Sequence, residues 1–481
     1  MTTPASRPLT RKKARKLAII HVREMETNLN HISSKTLIFL YLKRERIEAP
    51  KTADDESYAL RLLCVDWWAR KLLTRDRRDR EAAQILKGNV AKGREIFCSD
   101  DTIKEVKERW SATIENMRHK MIVSDCGDEL DMITVMKSSL ANPENLRVEL
   151  MVRMAGFERY ADECGDIGMF YTVTCPSKFH RFSGKGTLKN RKYSGASPQA
   201  AQRYLTKIWS QIRAELARWN VNLYGFRVAE PHADGTPHWH LLLFMKPDME
   251  YLVTECIQEY ALNEDSNEKG AAENRFQSTR IVKEIMTKDG IKKVSATGYI
   301  AKYISKNIGF DVGIDSEDAT QSTEQTGDRV RAWASTWGIR QFQQIGGVSV
   351  TIWRELRRLK HTEIEDETIR QARDCCIASD WAGFLTIMGG NDIKRLEREI
   401  QLLKKIAVNE ITGEVQLNKY QEIVWKIIGI STHANDVITH LKKWKIIDKS
   451  QLECASEIAH FFGTGSREAP SLRPFGALGV L

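Results

Sequence analysis

Two histidines one residue apart, His238 and His240 in PHWHLLLF, are the first residues in this chain that could act together. On a β-strand successive side chains alternate faces, so both imidazoles point one way and Trp239 the other. Two rings about 7 Å apart along a strand can converge on one metal ion. Leu241 and Leu243 share the face of Trp239 and give it a core to sit on. Taken alone, the pair also reads as two half-buried structural histidines. Glu230 adds a third donor: it ends the preceding strand, eight residues before His238, and a turn within PHADGTP folds it back beside the histidines. Parity decides whether it can take part. A two-residue Asp234–Gly235 turn would put Glu230 opposite Trp239, on the wrong face. An odd loop such as Asp234–Gly235–Thr236, or a bulge, would put it opposite His240, and that is the expectation. Two nitrogens and one carboxylate suit Mg2+ or Mn2+ and leave coordination positions open, whereas a structural zinc site is closed by four ligands and no fourth is evident. His232, the nearest spare candidate, reads as a turn residue.

Tyr299 and Tyr303, in TGYIAKYISKN, are four apart. On a helix that spacing stacks both phenols on one face with Lys302 and Lys306 beside them, while Ile300, Ile304 and Ile308 mark a buried stripe opposite. Two amphipathic surface tyrosines would look the same. With a metal trio nearby, the phenols become candidate nucleophiles that form covalent intermediates.

These side chains need a scaffold. Met169 to Cys175, rich in β-branched and aromatic residues and halted by Pro176, reads as a strand. A basic, polar loop follows, from Lys178 to Lys192. Ser197–Pro198 caps and opens a helix to about Trp219. Strands are expected over Asn222–Glu230 and His238–Met245, a polar loop over 262–277, and a hairpin around Lys288–Asp289–Gly290. A helix over Thr297–Ile308, an acidic loose stretch to Gln325, a helix at Arg329–Trp337 and a last strand at Val348–Trp353 complete the central region. The expected division is a helical, basic region over 1–150, the central domain over 151–360, a helical region over 361–462 that includes DIKRLEREIQLLKKI, and a disordered Gly/Pro/Ser-rich tail over 463–481.

The 481 residues exceed one ordinary core. Lys plus Arg total 74 against 64 acids, a net charge of +10 that favours a polyanionic partner. The runs RPLTRKKARK (7–16) and RKLLTRDRRDRE (70–81) read as solvated helix faces or phosphate contacts. No apolar run is long enough for a membrane span, and the basic N-terminus lacks a signal-peptide core. Nine scattered cysteines without a CxxC pair point to reduced thiols and a cytoplasmic setting. There is no GxxxxGK[ST] motif, so unwinding would fall to another protein.

The motifs together resemble the HUH (His–hydrophobe–His) endonucleases, and within them the two-tyrosine gene A replication initiation endonucleases of tailed phages. Four stretches carry the resemblance: FYTVTCP (170–176), YGFRVAEPHADGTPHWHLLLF (224–244), ATGYIAKYISKN (296–307) and RAWASTWGIRQFQQIGG (331–347). It implies an α+β fold, with a central antiparallel sheet of about five strands and helices on one face, flanked by helical regions. It also implies single-strand nicking and rejoining that starts rolling-circle replication through a 5′-phosphotyrosine. The metal, Mg2+ or Mn2+, would sit on Glu230, His238 and His240. Tyr299 and Tyr303 would be the nucleophiles, with Lys306 matching the lysine of the family motif. The expected partners are single-stranded origin DNA and a host helicase with its replication machinery, in the bacterial cytoplasm, with no membrane. Lys302, Lys178, Lys185, Arg354, Arg357 and Arg358 are the candidate DNA contacts. A plasmid relaxase, an HUH transposase, a zinc hydrolase and a non-catalytic origin-binding protein stay open as alternatives.

Overall fold

The computed structural model describes residues 8–29, 34–52, 54–183, 188–287, 290–293, 295–308, 323–409 and 412–451. Its centre is a five-stranded antiparallel sheet of β1 (Ile167–Thr174), β2 (Tyr224–Pro231), β3 (Pro237–Met245), β4 (Phe276–Arg280) and β5 (Phe342–Ile345), in the order β5-β2-β3-β1-β4. The sheet has helices on both faces, not one. Alternation sorts its side chains into two cores. Tyr171, Val173, Trp239, Leu241 and Leu243 face the helix α2 (Pro198–Arg218), whose Leu205, Ile208, Trp209 and Ile212 repeat at helical spacing. Phe170, Phe226, Val228, Leu242 and Phe244 face α1 (Pro143–Cys164) and α4 (Ala296–Ile308). Between α2 and α4 in sequence lies α3 (Glu250–Leu262), which adds Val253 and Ile257 to the first core. Trp239 is 2% exposed and donates its Nε1–H to Gln202 Oε1 at 3.0 Å. Truncating such a residue costs about 3–5 kcal/mol, so the strand that carries the histidines is firmly seated.

Helix boundaries follow capping chemistry. Ser197 accepts from Ala200 N–H at 3.3 Å with Pro198 in the first turn, and Asn142 accepts from Glu144 N–H at 3.1 Å ahead of Pro143. Ser349 accepts from Ile352 N–H, so Val350–Arg358 is a helix where a strand was expected; its Ile352, Trp353 and Leu356 complete the second core. The polar stretch 262–277 holds a short helix at Ala271–Arg275 and the start of β4.

The flanks depart further from expectation. The N-terminal region is helical, with its own core around Trp68, Leu42 and Met25, but also contains the hairpin Lys120–Ser124 and Glu129–Asp131. After two helices, Glu367–Ile377 and Trp381–Ile387, the C-terminal region turns to sheet: Gln401–Ile406, Trp425–Ser431 and Asp436–Ile438 pair antiparallel. A last strand, Trp444–Asp448, returns to pair with Lys120–Ser124. Residues 463–481, and most of the acidic stretch before Gln325, lie outside the described residues. Among the described residues no helix is long and apolar enough to cross a membrane, and the eight cysteines are free thiols.

Candidate metal and nucleophile site

The hairpin β2–β3 closes through Ala233, Asp234 and Gly235. His232 N–H donates to Thr236 O at 2.8 Å and Pro231 stands opposite Pro237. The loop is odd, as parity required, but one step earlier than expected, so Glu230 stands opposite His238 and Val228 opposite His240. Gly235 adopts φ +82, the left-handed conformation open to glycine, and a Cβ there would meet Phe97 O at 3.0 Å. Asp234 accepts from Thr236 N–H at 3.1 Å and Arg181 N–H at 3.0 Å, and its Oδ2 lies 3.4 Å from His180 Nδ1. Burial would raise the Asp234 carboxyl, but hydrogen bonding and the charge of His180 hold it well below the carboxylate range.

Glu230, His238 and His240 therefore share one face. Glu230 Oε2 lies 3.7 Å from His240 Nε2 and 4.0 Å from His238 Nε2, and one donor atom from each residue falls within 4.8 Å of the others. Two ligands about 2.1 Å from a six-coordinate ion and at right angles to it are about 3 Å apart, so sub-ångström adjustments close this trio on a cation. Glu230 and His240 are buried at 3% and 6%, a dry setting in which a carboxylate needs a positive partner. Thr172, opposite His240 on β1, places its hydroxyl 3.1 Å from His240 Nδ1, orienting the ring and leaving Nε2 toward Glu230. The ring of His232 lies against His238, centroids 4.1 Å apart. Burial pushes His232 down to about 3, which keeps it neutral. It falls outside the metal-sized cluster.

The helix α4 crosses this face. Its first turn is held by Glu158 of α1, which accepts from Ala296 N–H at 2.6 Å, Thr297 N–H at 2.9 Å and the Thr297 hydroxyl. Ile300, Ile304 and Ile308 are buried as the spacing predicts. The tyrosines are half-buried rather than on a solvated face, because the aromatic floor of the sheet receives them. The Tyr303 ring lies 4.0 Å from that of His240 and 5.4 Å from Phe170, and Tyr299 lies 6.0 Å from Phe170. Burial and the nearby Glu230 carboxylate push the Tyr303 phenol up to about 12. Asn307, 1% exposed, donates its amide N–H groups to Glu230 Oε1 and to Tyr303 O. One side chain thus ties the acidic donor to the backbone of the tyrosine helix.

The profile of the bacteriophage replication gene A protein family matches residues 9–311, more than half of the chain. The chain belongs to that family. It is 37% identical over 418 residues to the replication protein of Haemophilus phage HP1, covering 85% of this chain and 51% of that protein. It is 35% identical over 432 residues to the replication gene A protein of Escherichia phage P2, covering 85% and 54%. A Salmonella typhi protein named a probable replication endonuclease from a prophage-like region is 35% identical over 424 residues, covering 85% and 51%. The chain spans about half the length of these relatives. No solved structure matches.

The remaining candidate residues of this gene A family member divide sharply. Lys302 is exposed on α4. Lys306 lies on the same helix, its side chain outside the described set, and Lys185 is outside the described residues altogether. Lys178 is ion-paired with Glu264 and with Asp265 at 3.0 Å. Arg354 grips the buried Glu149 with two hydrogen bonds, 2.7 and 3.1 Å, and Arg358 lies 3.5 Å from Glu355. Arg357 is half-buried on the same helix. Arg354 therefore fastens the helix Val350–Arg358 to α1, where a phosphate contact was expected. The run 70–81 also packs inward: Arg75 binds Glu45, Arg78 caps Thr336 and Trp337 carbonyls, and Arg80 bridges Asp76 and Glu105. Asn307, Thr172 and Glu158 were not singled out from the sequence. Asn and Thr are too common for a signal, and Glu158 reaches the site across 138 residues.

Proposed function

We propose that this protein is a replication endonuclease that nicks and rejoins one DNA strand at a phage origin. The observation that carries the reading is the convergence of Glu230, His238 and His240 on the sheet face against which the Tyr303 ring lies. Membership of the gene A family and the names of its relatives support it. The donor set of two imidazoles and a carboxylate fits Mg2+ or Mn2+, which when bound would polarise a non-bridging oxygen of the scissile phosphate and offset transition-state charge.

The chain's own residues supply the rest. The hydroxyl oxygen of Tyr303 or Tyr299 attacks phosphorus in line; a P–O(tyrosine) bond forms and the P–O3′ bond breaks. The phenol proton passes to solvent and the released 3′ oxygen takes up a proton. A 5′-phosphotyrosine and a free 3′-hydroxyl result, the latter a primer for polymerase. Because the bond energy is retained in the ester, rejoining needs no nucleotide cofactor. Asn307 and Glu158 set the tyrosine helix against the donor trio, and Thr172 orients the His240 ring. Burial and the Glu230 carboxylate both hold the Tyr303 phenol up, which a neighbouring positive charge would oppose. Lys302 and Lys306 are the cations assigned to the phosphate. Two phenols on one helix allow alternate cutting, one holding the first 5′ end while the other attacks the regenerated origin. The partners in this reading are single-stranded origin DNA and a host helicase.

The test is covalent capture. Full-length protein is incubated with single-stranded phage origin DNA and Mn2+, denatured, and the adduct mapped by mass spectrometry. The wild type is expected to carry DNA on Tyr299 or Tyr303, the Tyr299→Phe/Tyr303→Phe double variant none, and EDTA to abolish the reaction. An adduct on the double variant would overturn the nucleophile assignment; adducts in EDTA would overturn the metal.

A further inference from the structure

Three short extended pieces meet in the C-terminal region, around Ala407, Gln416 and Val424. Their backbones close a ring of hydrogen bonds: Ala407 N–H donates to Val424 O at 2.8 Å, Val424 N–H to Gln416 O at 3.1 Å, and Gln416 N–H to Ala407 O at 2.7 Å. Around that ring Ile406 stands opposite Trp425, Val408 opposite Val415, and Leu417 opposite Ile423. Directly opposed residues of antiparallel pieces share a face, and so do residues two apart on one strand. All six side chains therefore lie on one face, and each is between 37% and 60% exposed. The ring is anchored from elsewhere. Glu422 accepts two hydrogen bonds from Arg61, at 2.7 and 2.9 Å, the Arg61 guanidinium lies 4.1 Å over the Tyr420 ring, and Arg70 donates to the Tyr420 hydroxyl at 3.3 Å. The helices Asp55–Leu62 and Val65–Lys87 thus hold the loop 418–422, while the six apolar side chains meet solvent.

Area and composition narrow the occupant of this face. Six such side chains, about half exposed, leave roughly 500 Å² bare, near the largest patches found on monomers. A standard interface takes about 800 Å² from each partner, and in homodimers about 65% of it is apolar, which also comes to about 500 Å². Non-obligate partners meet on faces about as polar as the rest of a protein surface, whereas among these six side chains only the Trp425 indole carries a polar atom. We propose that this face packs against the same face of a second copy of the chain, about a two-fold axis. Its shape fits that operation. Trp425 stands at one end, beside Ile406, and the smallest pair, Val408 and Val415, at the other. A two-fold axis lying in the plane of the patch sets the indole of each copy over the valines of its mate, a projection into a hollow. The dimer does not depend on the endonuclease reading.

Sedimentation velocity on the full chain, without DNA, tests this. The wild type is expected to dimerise with a dissociation constant of about 1 µM or tighter, the range that standard-size interfaces reach. Trp425→Glu buries a charge against the valines of the mate, and Val415→Lys buries one against its indole. Each variant alone should dimerise at least about 30-fold more weakly, the usual cost of losing a central aromatic anchor. Mixed in equal amounts, the two variants should associate again, because in the mixed dimer one contact is native and the other joins opposite charges. A wild type that stays monomeric up to about 100 µM, as it would if another stretch of this chain or a different partner covered the patch, would overturn the proposal. So would dimers of undiminished strength from both variants. Weakened variants that do not rescue each other would overturn the two-fold arrangement.

Discussion

Glu158 gives the sharpest mechanical test of the site. It sits on α1, yet it satisfies two of the four orphan N–H groups at the start of the tyrosine helix, those of Ala296 and Thr297, and binds the Thr297 hydroxyl as well. Its negative charge also lies at the positive end of the helix. Glu158→Ala removes a cap, a loss of about 1–2 kcal/mol, and a favourable dipole contact of about 0.3–1 kcal/mol. The sum of about 2 kcal/mol corresponds to about a 30-fold rise in local opening. Hydrogen exchange followed by mass spectrometry on peptides spanning 296–308 would read this directly, with β3 as an internal reference whose protection stays constant. Glu158→Gln keeps an acceptor oxygen but drops the charge, and should fall between wild type and alanine. Adduct formation should slow in the same order, because nucleophile placement is what the cap secures. Exchange over 296–308 that changes less than threefold in Glu158→Ala would refute the claim that this contact holds the helix.

Thr172→Val removes the hydrogen bond to His240 Nδ1 with little change of shape; Mn2+ binding by titration calorimetry should weaken about tenfold, the usual cost of losing an outer partner of a ligating histidine. Unchanged affinity would mean that packing alone orients the ring. Glu268 carries a pH prediction. Burial alone would raise its carboxyl, but hydrogen bonds from Ser177, Arg275 and Lys192 hold it down to about 2. A depressed acid contributes stability that is present above its ordinary value near 4.5 and is lost as pH falls toward 2, here at most about 3 kcal/mol. Denaturant titrations from pH 7 to pH 3 should show this slope in the wild type and a flatter one in Glu268→Gln. The same slope in both would show that other carboxylates govern acid unfolding.

The site was legible because its parts are local. Alternation in PHWHLLLF put Trp239 in one core and both imidazoles on the other face, and parity alone demanded an odd loop. The exact register was not legible. The Pro231–Pro237 pair and the His232–Thr236 bond place the three-residue loop one step earlier than Asp234–Gly235–Thr236, which shifts the register. The Ser197–Pro198 cap gave the start of α2, and the tyrosine and isoleucine spacing gave α4 to within a residue. What failed was non-local. DIKRLEREIQLLKKI has helical spacing, but Ile400 and Leu402 are drawn into the second core and the backbone of 401–406 pairs with Trp425–Ser431, so tertiary contact overrides propensity. The partner of Arg354 was equally out of reach, because Glu149 lies 205 residues away.

The pairing of Trp444–Asp448 with Lys120–Ser124 has a practical consequence for anyone trimming this chain. Lys120–Ser124 is the middle strand of a three-stranded ribbon to which the two flanks contribute jointly. Deleting everything after residue 360 to isolate the central domain would bare its hydrogen-bonding edge, inviting strand-to-strand association between molecules. A fragment that starts at 151 would orphan the returning strand in the same way. Expression boundaries should keep 120–131 and 444–448 together or remove both.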